Sequence, residues 1–478
     1  MSDRKVTIIR CRTVYDNTRR WTKKGISPDF QIEIEYKVGD KFTTQNYLSY
    51  ADLAIVIPVH NNSETGEKEF GLVEQEAPAL IHKEGNSKTP EGYKGIMLEG
   101  MSVAIPKYYE DIETKKIAEY IKDAYEFDIK GIVDLDTTRT SVLESFSNQC
   151  ANFYTTGVMG EDESNQVHWF PISSLRDFLE MQRMAKNKDV HTSISTLYAL
   201  ELLYDKYSEE IKNQTKFKLE KKLPELMVLK TMDKKKGYRF SIKECYYINT
   251  NDYTPEELTN IAFALNNIQE EEIDLHKDDN TDSLYVLLPR ENEEPLRVNV
   301  KVGSYAQSNM KSQQSNAGNT MLVTENGERI LSPQIRSPFL QDGIENGNYI
   351  RWGGSGGMLE PGEEDLKKRA LKELLEEQGF KDDDKVEILT GVLAASPNCT
   401  EMSQCFVAYY EKAKDVGELD LDEAGEFIGE KIPFSHDKIK GQPRIALTTK
   451  YYDLVMNRLE QERESDKIQH RIEPEERE

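Results

Sequence analysis

GGSGGMLEPGEEDLKKRALKELLEEQGF, residues 353–380, sets a glycine-rich loop directly before an acidic helix. Helical spacing puts Glu373, Glu376 and Glu377 at i, i+3 and i+4, on one face. Three like charges held that close repel one another and add nothing to a core. A hard divalent cation with oxygen ligands resolves the conflict. Upstream, Gly353, Gly354, Gly356 and Gly357 let backbone approach a metal or a phosphate closely. Taken singly, a glycine-rich stretch is an ordinary turn and an acidic helix face is solvated surface. Their order and adjacency point instead to a platform for Mg²⁺ or Mn²⁺ bound to a diphosphate.

Outward from this stretch, the chain repeats one plan. FQIEIEYKVG (Phe30 to Gly39) alternates as a half-buried strand does, and ADLAIVIPVH (Ala51 to His60) reads as a buried strand. EFGLVEQ is a further strand, and Tyr109 to Phe127 has helical spacing. Strands follow near Ile132 and Phe153, then a helix from Thr196 to Tyr207. In the second half LRVNVKVG (Leu296 to Gly303) alternates as the first strand does. NTMLVTENGERILSPQ reads strand, Asn-Gly turn, strand, and a helix follows over 364–378. VLAASPNC (Val392 to Cys399) resembles VLESFSNQ (Val142 to Gln149), QCFVAYYE is a strand, and Thr448 to Leu459 is the closing helix. Matches in one order, at offsets near 250–264, predict an internal duplication. The boundaries follow: residues 1–225, then 226–463, then a charged tail over 464–478 expected to be disordered. Thr254 and Glu257 have capping-box spacing, so a short helix starts there.

Composition narrows the function. The 478 residues suit two or three domains at roughly 150 each. A net charge of −24 disfavours a general nucleic-acid binder, which would exchange counterions for Lys and Arg. Five cysteines without a CxxC pair argue against a disulfide framework or a structural zinc site. The start carries no apolar run of a signal peptide, and no segment approaches the roughly 20 apolar residues of a membrane span. The cytoplasm is the expected compartment, and no membrane partner is expected.

Residues 357–380 resemble the Nudix box, G-x5-E-x7-R-E-U-x-E-E-x-G-U, where U is bulky and apolar. Gly357 and Glu363 match its first fixed positions, and Lys372 to Phe380 match the remainder. Lys372 replaces the usual arginine, whose planar fork lysine lacks, and one residue is inserted between Glu363 and Lys372. The resemblance implies an α+β fold, an α/β/α Nudix sandwich with a mixed sheet, here in two tandem copies. It makes Glu373, Glu376 and Glu377 metal ligands with the Gly357 backbone beside them, and pairs Glu363 or Glu364 with Lys372. Metal ions would neutralise a diphosphate while an activated water attacks phosphorus. ASPNCTEMSQCFVAYYE resembles the segment after the box in ADP-ribose and nucleotide-sugar pyrophosphatases, with Pro397 as its proline. DEAGEFIGEKIPF resembles their next acidic loop, making Glu423 or Glu426 the candidate general base. Gly356, Gly357, Trp352 and Pro397 are the expected substrate contacts.

The first copy departs from the box. Setting Glu119 against Glu373 puts Lys122 at Glu376 and Asp123 at Glu377, and an ammonium among carboxylates weakens a metal site. The first copy is therefore expected to keep the fold without hydrolysis. It would serve as partner in an intrachain pseudo-dimer, as sensor or as scaffold; a homodimer is the other assembly such proteins adopt. The expected activity is Mg²⁺- or Mn²⁺-dependent hydrolysis of a nucleoside diphosphate derivative, ADP-ribose or a nucleotide sugar foremost. The alternatives are a nucleotide sensor with weak or no turnover, and an RNA-decapping pyrophosphatase, which would need a basic groove.

Overall fold

The computed structural model describes residues 6–16, 30–38, 40–81, 93–105, 114–142, 147, 149–156, 167–186, 189–211, 214–236, 240–278, 281, 283–290, 293–308, 316–340, 350–360, 363–378, 386–397, 399–410 and 432–472. It is an α+β arrangement of mixed sheets with helices.

The first half opens with β1 (Val6–Asp16), β2 (Phe30–Val38) and β3 (Lys41–Ser49), an antiparallel sheet. Then come β4 (Asp52–Ile57), β5 (Val59–Asn61), β6 (Lys68–Glu76), β7 (Ile96–Glu99), β8 (Met101–Ile105), α1 (Thr114–Tyr125), β9 (Ile132–Ser141), β10 (Cys150–Thr156), β11 (Val167–Pro171), α2 (Leu175–Arg183) and α3 (Ile194–Tyr207). One sheet has the order β8-β4-β10-β9, with β4 and β10 parallel; a second has β6 between β11 and β5, with β7 also on β6. The run read as one strand over Ala51 to His60 is two, β4 and β5. Pro58 separates them, because proline has no N–H to donate to a ladder.

The second half opens with β12 (Leu226–Lys235) and β13 (Phe240–Asn249). It continues through α4 (Pro255–Asn266), β14 (Leu275–Lys277), β15 (Leu284–Arg290), β16 (Glu293–Asn299) and β17 (Lys301–Ser308). β18 (Asn316–Thr324), β19 (Arg329–Ile335), β20 (Ile350–Gly353), β21 (Ser355–Met358) and α5 (Leu366–Gln378) follow. β22 (Val386–Ile388), β23 (Leu393–Ala394), β24 (Met402–Tyr410), β25 (Ile432–Phe434), α6 (His436–Lys440) and α7 (Leu447–Ile472) complete it. The pairings of the first half recur. β18 lies antiparallel to β21 and parallel to β24, which carries β22; β19 lies between β20 and β25. β13 joins β12 to β17 as β2 joins β1 to β3.

Two expectations change here. LRVNVKVG is not one strand: β16 and β17 belong to different sheets and break at Val300, whose N–H donates to Leu284 O. An insertion of α4 with β14, β15 and β16 follows β13 in sequence and packs Ile261, Val286 and Val298 with Leu229, Tyr246 and Ile248 of β12 and β13. Its helix starts at Thr254 with both capping-box hydrogen bonds formed. Residues 464–472 of the charged segment are helical, because α7 runs on to Ile472; 473–478 lie outside the described residues.

The two halves share their cores. α3 is buried from Ile194 to Leu203, as a helix enclosed on all sides must be. Leu197, Leu200 and Leu203 belong to one cluster with Tyr451, Tyr452 and Val455 of α7. Fully burying such a side chain contributes about 1.5–3 kcal/mol. The sheets cross over as well. Ile34, Tyr36 and Tyr47 of the first sheet pack on Ile335 and Leu340 of the second half. Ile242, Tyr247 and Tyr305 of β13 and β17 join the cluster containing Ala79, Ile96 and Leu98 of the first. No helix among the described residues is long and apolar enough to cross a membrane.

A buried ion pair ties α3 to α7: Arg458 Nε and Nη2 donate to Glu201 at 2.9 and 3.2 Å, with both side chains 2% exposed. Removing Glu201 leaves the buried guanidinium with Glu462 alone, which accepts from Nη1 at 3.3 Å. Glu201→Ala is expected to cost about 3–5 kcal/mol, whereas Glu201→Leu with Arg458→Met costs much less. Urea unfolding midpoints compare the three proteins, and an unchanged midpoint for the single variant contradicts the assignment.

Candidate functional site

α5 divides its faces between core and sheet edge. Leu366, Ala370 and Leu374 pack with Leu322 of β18 and Phe406 and Ala408 of β24. The adjoining stripe is Arg369, Glu373 and Glu377, one helical turn apart. It meets β21, where two consecutive glycines make room. A Cβ on Gly357 would collide with the Glu373 carboxylate, and one on Gly356 with the Asn319 amide. Glu373 is accordingly buried, and Glu377 Oε2 accepts from the Gly356 N–H at 3.3 Å.

The carboxylates lie within reach of each other's charge. Glu377 is pushed up to about 8: burial raises it most, the Ser355 hydroxyl opposes this, Glu373 adds to it, and Arg336 and the Gly356 N–H pull it down. Glu373 is also raised, by burial first; Arg369 opposes this and Glu376 reinforces it. Carboxylates that raise one another in a poorly solvated place suit a hard cation with oxygen ligands. In kind, then, the donors fit a divalent metal. In placement they are not gathered, because Glu376 faces solvent and Arg369 is ion-paired to Glu373. Among the described residues, no three His, Cys, Asp or Glu side chains converge on one point.

Of the residues singled out by sequence, Gly356, Gly357, Glu373 and Glu377 come together, with Glu376 at their solvent edge. Trp352 does not join them. Its ring packs 5.3 Å from that of Phe434, in a cluster with Leu331, Ile439 and Ile445. Its backbone is tied to Arg444 and Ala446. Pro397 is buried, in the segment that pairs with Ala306 through Cys399. Glu423 and Glu426 lie outside the described residues, as do Gly379 and Phe380. Lys372 pairs with Glu360 at 3.0 Å; Glu363 instead accepts from the Glu360 N–H at 2.8 Å and faces Arg369 at 3.9 Å. Sequence reasoning passed over Arg369, although its i, i+4 spacing to Glu373 was there to be read.

The first half shows what the same geometry holds without charges. β4 pairs with β8 through Ile55 and Ser102, as β18 pairs with β21 through Asn319 and Gly356. The Tyr125 hydroxyl accepts from Ser102 N–H and donates to Ser102 O, each at 3.0 Å. The Tyr125 hydroxyl thus meets the backbone of β8 as Glu377 meets that of β21. Ile117, Ile121 and Tyr125 are buried in one apolar cluster, where Ile117 and Ile121 pack as Ala370 and Leu374 do in the second half.

No protein-family model matches the chain, and no curated protein does. Similar solved structures include one described as an ADP compounds hydrolase, at 13% identity and TM-score 0.30, covering 44% of this chain and 98% of that one. MutT protein from Methanosarcina mazei Go1 is similar at 22% identity and TM-score 0.21, over 31% of this chain and 94% of its own. A C. elegans Ap4A hydrolase binary complex is similar at 14% identity and TM-score 0.21, over 30% and 96%.

The raised pKa of Glu377 has a sign in stability. The folded state holds its proton between the ordinary 4.5 and about 8, so this group's contribution to stability falls as pH rises through that window. In metal-free protein, Glu377→Gln is expected to gain on the wild type in thermal midpoint from pH 5 to pH 8. Added Mg²⁺ is expected to recover the difference at pH 8 in the wild type alone. Parallel melting curves across that pH range in both proteins contradict this.

Proposed function

We propose that the second half is a Nudix-type hydrolase, and that the two halves are copies of one such unit of which the first has lost its chemistry. The reaction is divalent-metal-dependent cleavage of the diphosphate bond in a nucleoside diphosphate derivative, with ADP-ribose or a nucleotide sugar as the foremost substrate. One observation carries the reading: the box helix lays Glu373 and Glu377 against the backbone of Gly356 and Gly357, where the first half sets only the Tyr125 hydroxyl on the backbone of Ser102. A neutral hydroxyl suffices where only packing is needed. Keeping buried acids in their place has a cost in desolvation, and metal binding is what that cost would serve.

In this reading Glu373, Glu376 and Glu377, with the Gly357 backbone, would hold Mg²⁺ or Mn²⁺. The cation supplies charge neutralisation at the phosphates and an activated water. Gly356 and Gly357 let the diphosphate approach the backbone. Glu423 or Glu426 would take the proton from the attacking water.

The second reading is a nucleotide sensor with weak or no turnover, and the feature favouring it is Lys372, which stands in place of the box arginine and pairs with Glu360 at 3.0 Å.

Turnover separates the two. The full chain, given a panel of nucleoside diphosphate derivatives with Mg²⁺ or Mn²⁺, is expected to release nucleoside monophosphate. The Glu376→Gln/Glu377→Gln variant should lose roughly 10²-fold or more, the scale on which removing one electrostatic stabiliser of a transition state acts. Binding without product, measured by calorimetry, establishes the sensor instead. Cleavage of equal rate in the double variant rejects the site.

A further inference from the structure

The Nudix-like box of this chain lacks its arginine in either register. Counting on from Glu363 with the usual spacing brings the position to Leu371, which packs on the apolar side of the helix. Allowing for the inserted residue brings it to Lys372, whose side chain is 42% exposed and pairs with Glu360 at 3.0 Å. Neither provides a planar fork beside the acidic stripe. Arg369 does. It lies one turn before Glu373, its side chain 12% exposed, and one guanidinium meets both sides of the site. Nη2 pairs with Glu373, while Nη1 reaches Glu360 Oε1 at 2.7 Å and Glu363 Oε2 at 3.9 Å.

We infer that Arg369 is the positioning residue of this site, having taken over from one turn upstream the orienting role that Lys372 cannot fill. The inference rests on the metal-site reading above. Glu360 and Glu363 close the turn between β21 and α5 by backbone and side-chain hydrogen bonds. By gripping that turn and Glu373 together, Arg369 fixes the helix against the glycine strand. Gly357 meets the same carboxylate oxygen, Oε1, that the guanidinium pairs with, so Glu373 is held by a cation and against bare backbone at once. The fork makes this a two-ended grip, which a point charge on a flexible stem cannot reproduce. The inserted residue moves the spacing by one; a guanidinium on the same helical face, four positions from Glu373, restores the contact.

The test uses the full chain and reads Mn²⁺ binding without substrate, by electron paramagnetic resonance of free Mn²⁺, beside Mn²⁺-dependent hydrolysis of ADP-ribose. Arg369→Gln is expected to weaken Mn²⁺ binding about 10–100-fold, as loss of a partner that orients a ligand does. The metal concentration for half-maximal rate should rise in step, while KM for ADP-ribose at saturating metal moves less. Arg369→Lys keeps the charge and the stem and guards against a variant that fails to fold. It should still bind Mn²⁺ several-fold more weakly, with an unchanged circular dichroism spectrum. Lys372→Ala should stay within about threefold of the wild type, since its ion pair is exposed and has no planar fork to hold a carboxylate in place. Wild-type affinity in Arg369→Lys, or a loss in Lys372→Ala equal to that in Arg369→Gln, overturns the assignment. So does a wild-type chain that binds no Mn²⁺. A chain that binds Mn²⁺ with this pattern but cleaves no substrate refutes hydrolysis and leaves the positioning role standing.

Discussion

The structure turns on how closely α5 approaches β21. Gly357 offers no side chain, so the helix settles until Glu373 lies on backbone, and Glu377 accepts from the Gly356 N–H. That contact takes two carboxylates largely out of water, and hydration is what makes a carboxylate's charge tolerable. Something must then answer each charge. Glu373 has a guanidinium, and Glu377 has an N–H and a strong tendency to keep its proton. In the proposed reading a divalent ion would answer both at once. The contact at Gly357 and the raised pKa values are consequences of one close approach.

The first half offers a comparison without buried acids. Its helix α1 packs on β8 through Ile117, Ile121 and Tyr125. Each buried apolar side chain there contributes about 1.5–3 kcal/mol of transfer free energy, whereas burying Glu373 has a desolvation cost that Arg369 offsets.

Much of this was legible in the residues, and the exceptions have physical causes. The acidic stripe, the glycines and the Thr254 cap are local patterns, and local patterns survive folding. The two runs that were misjudged, the buried run Ala51 to His60 and the alternating run Leu296 to Gly303, each cross from one sheet to another. Hydrophobic pattern cannot show such a transfer, because it continues on both sides of the break. Trp352 stands next to the glycine loop in sequence but turns toward Phe434, since successive strand residues face opposite ways. Arg369 was missed for the opposite reason. The box pattern leads to Lys372, while the contact follows the helix.

The crossing of the sheets gives the first half a route to the acidic edge. Ile34, Tyr36 and Tyr47 pack against Ile335 and Leu340 of the second half. Arg336, between them in sequence, is the cation that draws Glu377 toward ionisation. Arg351 stacks its guanidinium 3.8 Å from the ring centre of Phe339 in the same stretch. Displacing the first sheet would loosen the segment that carries Arg336 and so change the field at Glu377, without need of a direct contact to the carboxylate. The first half thereby bears on the electrostatics of the acidic edge, because the segment it packs is the one that carries Arg336.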